Sequence, residues 1–460
     1  MLSFRQQPCS HKRTNDGEDR KRSLCRSGRN RRRRGRSLGQ CRLHLGHLAA
    51  CDCDRRAVVL VATELDQDRG VPGRYFGECE RGDSLLHSVH EGLSEFAESE
   101  LNAIVARKKI TDELRGYEAP FDATIIGYEN DRASVLALVE AVTKHFEIAH
   151  RFYAVKAKLM KQKQLTYADR SASVGTLKKK IPFKEAAEIV RKTFYKLHPR
   201  YAAIFERLLA GGQVDVYPKA GKTGGAYCSH MVGEPTLVLL NHIDNAHSLL
   251  TLAHEMGHAI HSERSKKQSP MYEGYSIVTA ETASTFFERA AFESLVATLS
   301  EKEKLIALHD KIQDDVSSIF RQIACFNFEV EMHQQIRAKG LLPKEALAKL
   351  MNKHMAAYLG GAVALVPEDG YFFVAWSHIR RFFYVYSYAY GQLTSRALWE
   401  RVKKNKKYIT KVDEYLQAGG SNSPEEIFKK CGLNLYSPKV FLEGLKSIEK
   451  DVAELEATVL

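Results

Sequence analysis

Long apolar runs are missing from this chain of 460 residues. A membrane-spanning helix needs about 18 or more consecutive apolar residues. The longest candidates, such as AVVLVATEL at 57–65, are only strand-sized. The amino terminus also lacks the basic-then-apolar layout of a secretory signal. No membrane association and a cytoplasmic location are therefore expected. Cysteine is scarce wherever a cross-linked fold would need it. Six of the nine lie in the first 79 residues, leaving Cys228, Cys325 and Cys431 for the rest. A secreted disulfide framework is excluded for the body, which suits a reducing compartment.

A surplus of one charge is also missing from most of the chain. The formal net charge is +13, but residues 1–56 hold 16 Lys/Arg against 5 Asp/Glu, while the other 404 residues hold 53 against 51. The basicity belongs to an arm, with RNRRRRGR at 29–36. Such a like-charge block without apolar periodicity is expected to be disordered. Arginine clusters bind phosphates by releasing counterions, so nucleic-acid binding through 1–56 is the alternative function to be weighed. Aromatic residues for base stacking are absent from the arm, where Phe4 is the only one before Tyr75. The segment CRLHLGHLAACDC at 41–53 lacks the paired ligand spacing of structural zinc sites and is read as an accident of composition.

What the chain does contain is helical periodicity. Residues 57–94 are assigned to a linker, although the texture turns helical from about 84. Apolar residues recur at three- and four-residue spacing through SLLHSVHEGLSEFAESELNAIVARKK and DRASVLALVEAVTKHFEIAHRFYAVKAKL. Pro182 marks a break, after which two more helices end at Gly211-Gly212. Three short strand-like stretches follow: VDVYP at 214–218, GAYCSHM at 225–231 and TLVLLN at 236–241. The rest reads as helix, without internal repeats. AGKTGG at 220–225 is no phosphate-binding loop, because Val216 stands where the first glycine is required.

The chemistry begins in TLAHEMGHAIHSE at 251–263. On a helix, His254 and His258 share one face a turn apart and can direct two imidazoles at one ion. Glu255 projects beside them, placed to take a proton from a metal-activated water. Gly257 allows a neighbouring segment close approach. The elongated three-histidine pattern is excluded, because it needs glycine at 261 and histidine at 264, where His261 and Arg264 stand. His261 lies about 700° around the helix from His254 and is read as a supporting or surface histidine rather than a ligand.

A carboxylate from a later helix is the other common third ligand. SIVTAETASTFFERAAFESL at 276–295 carries Glu281 among the small residues Ala280, Thr282, Ala283 and Ser284, which favour tight packing on the metal helix. Glu263 is too near, Glu273 lies in a loop, and Glu288 and Glu293 lie further along the same helix. Two histidines and a glutamate leave an open position, the arrangement of a catalytic zinc site. Tyr384 and Tyr388, at i and i+4, form one tyrosine pair, and Tyr386 and Tyr390 form another on a different face. One pair would line a cleft while the other packs in the core with satisfied hydroxyls.

From about residue 95 onward these motifs together resemble the oligoendopeptidase F branch of the thimet-oligopeptidase-like zinc peptidases. The resemblance rests on GKTGGAYC at 221–228, TLVLLN, LAHEMGHAIHS, SIVTAETASTFFE, RQIACFNFEVEMH at 321–333, SHIRRFFYVYSYAYGQL at 377–393 and AGGSNSPEEIFKKCGLNLYSP at 418–438. It implies a mostly α fold of the thimet-oligopeptidase/neurolysin type around a deep channel, with a small β-sheet beside the metal helix. Residues 95–200 would be a helical amino-terminal part and 201–460 the catalytic domain. It further implies a zinc endopeptidase acting on short peptides, with one zinc on His254, His258 and Glu281, and Glu255 as general base. His378, Tyr388 and then Tyr384 would stabilise the oxyanion, and Gly225, Ala226 and Tyr227 would bind substrate. The stretch 236–241 is expected to be an edge strand that pairs with an extended substrate. Family members usually carry further helices ahead of the matched region, forming part of the channel wall, where this chain carries its arginine-rich arm.

Overall fold

The computed structural model describes residues 79–459, so the arginine-rich arm, the 41–53 segment and most of the assigned linker lie outside the described residues. The first helix, α1, runs Cys79–Arg115 and thus begins inside the stretch assigned to the linker. Then come α2 (Asp122–Gly127), α3 (Arg132–Thr143), α4 (Glu147–Leu159), α5 (Phe183–Leu197) and α6 (Pro199–Ala210). The break between α5 and α6 follows from Pro199, which stands at the first helical position, with the His198 side chain accepting the Arg200 N–H as the cap.

Three short strands follow, β1 (Val214–Asp215), β2 (Tyr227–Ser229) and β3 (Leu237–Leu239). β3 pairs parallel with β1 and antiparallel with β2, giving the order β1-β3-β2. The expectation that 236–241 is an edge strand is therefore wrong. Val238 is opposite Val214 on one side and Cys228 on the other, so both ladders of β3 are taken, and β2 is an outer strand instead.

The remaining helices are α7 (Ala246–Ser265), α8 (Ile277–Val296), α9 (Glu301–Asp315), α10 (Gln322–Lys339), α11 (Lys344–Leu359), α12 (Tyr386–Lys404), α13 (Ile409–Gln417), α14 (Pro424–Lys430) and α15 (Pro438–Ala457). A π-helical stretch, Val316–Arg321, joins α9 to α10, and two 3-10 turns, Pro367–Val374 and Ser377–Arg381, precede α12. The fold is thus mostly α with one small sheet, as the sequence suggests.

At its centre stands α7, whose first turn is capped by the Asn245 side chain accepting the Ser248 N–H at 2.8 Å. Leu249, Leu252, Ala253, Met256, Ala259 and Ile260 are all fully buried. A helix covered on nearly every side must be central, and α7 packs on α8, α5, α6, α13 and the sheet. The α8 contact is the most extensive, and Gly257 is its fulcrum. A Cβ there would stand 2.7 Å from the Ser284 Cα and 3.2 Å from the Ala283 carbonyl. The small residues of both helices thus let the two backbones meet. α8 in turn packs on α12, where a Cβ at Gly391 would stand 2.6 Å from the Glu281 Cβ.

Candidate metal centre and its donor side

The α7–α8 contact brings His254, His258 and Glu281 together. Each offers one donor atom, and these atoms all lie within 4.8 Å of one another, the one such group among the described residues. His254 Nε2 is 3.8 Å from Glu281 Oε2, while its Nδ1 is 2.9 Å from Glu288 Oε2. Glu288 therefore fixes the ring and leaves Nε2 facing the cluster, the outer-shell carboxylate arrangement common to metal-ligating histidines. From the sequence, Glu288 stands only as a rival ligand further along α8, not as a support for His254. The spacing from Glu281 to Glu288, two turns on one helix face, was the available signal.

Glu288 is itself held from behind. Lys311 lies 3.3 Å from Glu288 and 3.1 Å from Asp315, Arg396 bonds Asp315 and Asp451, and Arg289 also bonds Asp451. This buried chain of alternating charge ties the cluster to α15. Burial alone would raise the Glu288 carboxyl, yet Lys311 and His254 pull it down to about 2.

The charge balance of the cluster favours a cation. Burial pushes His254 down, but the Glu288 hydrogen bond and the charges of Glu288, Glu281 and Glu255 push it up to about 9. Burial, with the neighbouring His254 and His261, holds His258 well below the usual histidine range, so it offers a neutral ring. Glu255 is buried, and that burial, opposed by His254 and the Cys228 backbone N–H and reinforced by Glu281 and Glu288, raises its carboxyl to about 7. The hydrogen bond from Cys228 also shows that β2 borders the metal helix at Glu255. Gly225, Ala226 and Tyr227 lead into that strand, with Gly225 at φ 83°, a conformation that favours glycine.

His261 is neither a ligand nor a surface residue. It is 1% exposed and stacks face to face on Tyr275, with ring centroids 3.7 Å apart. Burial and the nearby His230 push it down to about 3. The rejected 220–225 loop is also explained, since Lys222 turns back to donate to the Asp215 and Tyr217 carbonyls.

The second group of expected residues converges as well. His378 Nδ1 is hydrogen-bonded to the Tyr384 hydroxyl, and ring centroids lie 5.3 Å apart for His378–Tyr384, 6.1 Å for His378–Tyr388 and 5.9 Å for Tyr384–Tyr388. Tyr386 and Tyr390 form the core pair. Tyr386 donates to Asn130 at 3.0 Å and Tyr390 to Glu425 at 3.2 Å, both fully buried. Gly391, three residues after Tyr388, carries this helix onto Glu281. Tyr388 thus lies on the helix whose Gly391 meets Glu281, while His378 and Tyr384 precede that helix.

Residues 87–447 match Peptidase family M3. The chain belongs to that family. A relative from Bacillus subtilis (strain 168), Oligopeptidase PepF, is 31% identical over 330 residues, which are 70% of this chain and 49% of the relative. The Oligoendopeptidase F homolog of Lactococcus lactis subsp. lactis is 26% identical over 381 residues, 81% of this chain and 63% of the relative. The chain thus matches about half to two thirds of the length of these curated relatives. Among solved structures, oligoendopeptidase-F from Enterococcus faecium superposes with a TM-score of 0.66 at 22% identity, covering 87% of this chain and 71% of that one. That likeness establishes the fold. Among the described residues, no helix is long and apolar enough to cross a membrane.

Proposed function

We propose that this chain is a zinc endopeptidase that hydrolyses short oligopeptides, with zinc held by His254, His258 and Glu281. The single observation that carries the proposal is the convergence of these three donors beside the buried Glu255 in a chain of family M3. Two imidazoles and one carboxylate are a borderline-soft donor set with room for further ligands, which fits Zn2+. A zinc ion so held lowers the pKa of a water molecule and polarises a carbonyl.

The chain's own residues do the rest. Glu288 orients His254 and keeps its Nε2 aimed at the cluster. Glu255, with its carboxyl raised to about 7, accepts the proton of the attacking water and hands it to the leaving amine. His378 and Tyr388 donate to the oxygen on which charge develops. Tyr384 holds His378 through Nδ1, and a hydroxyl donating there leaves the proton of His378 on Nε2. The outer strand β2, with Gly225 and Ala226 before it and Tyr227 on it, receives the extended substrate backbone. Pairing through the main chain gives affinity with little side-chain selectivity.

The test is hydrolysis of an internally quenched peptide by zinc-loaded protein. Removal of zinc by a chelator should abolish turnover and re-addition should restore it. Turnover that persists in metal-free protein would overturn the proposal.

A further inference from the structure

Two consecutive residues just before Tyr384 adopt left-handed backbone conformations, Phe382 at φ 52° and Phe383 at φ 59°. Bulky side chains rarely adopt this region, and the other non-glycine residues that do so among those described (Glu129, Lys161, Asp244) are isolated. The peptide unit between Phe382 and Phe383 is gripped from both sides. Its carbonyl accepts the Thr124 hydroxyl at 2.9 Å, and its N–H donates to Glu329 Oε2 at 2.6 Å. The two grips come from distant parts of the chain, α2 and α10.

Glu329 is fully buried, and among the described residues it forms no ion pair and its other oxygen has no hydrogen-bond partner. An apolar residue would fill such a position without the cost of desolvating a carboxyl. Among the described residues, its hydrogen bond is the one from the Phe383 N–H. Burial raises its carboxyl to about 8, so at neutral pH it accepts this hydrogen bond largely as the acid, a role an amide can copy. Around the turn, Phe383 packs against His333 at 4.7 Å, Phe326 at 5.7 Å and Phe121 at 6.0 Å, closing off relaxed conformations.

The turn lies between two donor residues. His378 stands on the 3-10 turn before it, Tyr384 follows it directly and bonds back to His378, and Tyr388 is one helical turn further. The held peptide therefore lies in the short segment that joins His378 to Tyr384 and Tyr388. We propose that Glu329, together with Thr124, clamps the Phe382–Phe383 peptide and is a positioning residue for His378, Tyr384 and Tyr388. This rests on the proposed function for its catalytic consequence, but not for its structural one.

The experiment compares Glu329→Leu, Thr124→Val and Glu329→Gln in the full zinc-loaded chain. Loss of the clamp in Glu329→Leu should lower kcat at least about tenfold, with KM changed less than about twofold and zinc content unchanged. Thr124→Val, a milder change at a half-buried position, should lower kcat in the same manner, whereas Glu329→Gln should stay within about twofold of the parent. In a Tyr384→Phe background, Glu329→Leu should cost less than in the parent, because part of its effect passes through the Tyr384–His378 contact. Independently of activity, the ring 15N resonances of His378, assigned with His378→Gln, should move in Glu329→Leu and Thr124→Val and remain in place in Glu329→Gln. Unmoved His378 resonances in both clamp variants would overturn the proposal, as would a Glu329→Gln chain as impaired as Glu329→Leu. If the parent hydrolyses no peptide, the proposed function fails, while the resonance comparison still decides the clamp.

Discussion

The two halves of the proposed site are built by opposite means. On the metal side, His254, His258, Glu281 and Glu288 stand on two regular helices, and their spacing is the helical repeat itself. On the donor side, His378 and Tyr384 are joined across an irregular turn with two left-handed phenylalanines. Each such residue costs on the order of 1–3 kcal/mol and persists only where surrounding contacts hold it. Side chains on regular helices are brought together by periodicity, while His378 and Tyr384 meet through backbone that periodicity does not supply.

Breaking the metal side should have the largest effect. His258→Ala removes a donor that no neighbouring side chain replaces, and zinc content measured by atomic absorption should fall from one ion per chain to near zero. On the donor side, Tyr388→Phe should keep its zinc and lose roughly 10²–10³ in kcat, the range for deleting one oxyanion donor. Tyr386→Phe sharpens the contrast, because among the described residues this hydroxyl bonds only Asn130, in the core. It should leave kcat nearly unchanged and cost about 1 kcal/mol of stability in a denaturant melt.

A smaller effect is expected at Glu288. Glu288→Gln weakens the support of His254 without touching the ligand set, so zinc affinity in a chelator competition should fall about 10–100-fold. The smallest effect concerns pH and stability. Glu329 is raised by burial from the ordinary 4.5 to about 8, so the folded state holds its proton more tightly than the unfolded state. Its contribution to stability is present at low pH and lost as pH rises from about 4.5 to 8. Glu329→Gln lacks this loss. Its stability relative to the parent should rise through that window and level off above it, a trend readable from urea melts at a series of pH values.

Much of the metal side was legible in the sequence. The His254–His258 spacing, the small residues around Glu281 and the exclusion of Arg264 as a histidine position each rest on helix geometry. Gly257 was readable for the same reason, and its close approach to Ser284 is observed. His261 was placed at the surface or in support of the site because helical phase gives direction but not what covers it. Tyr275, from the following loop, does that.

The sheet was read in part. The three strand-like stretches each contain a strand, but strand order depends on how the chain crosses over, and nothing local in TLVLLN marks it as the middle strand. The Phe382–Phe383 turn was not legible, since phenylalanine favours neither left-handed backbone nor turns. The forces that hold it come from Thr124 and Glu329, more than 250 and about 50 residues away.

The most direct test of the central claim is the turnover of a quenched peptide by Glu255→Gln carrying stoichiometric zinc. Zinc retained with kcat lowered by roughly 10²–10⁴ is the predicted result, since the glutamine keeps the shape but cannot accept the proton. Turnover close to that of the parent chain would contradict the account.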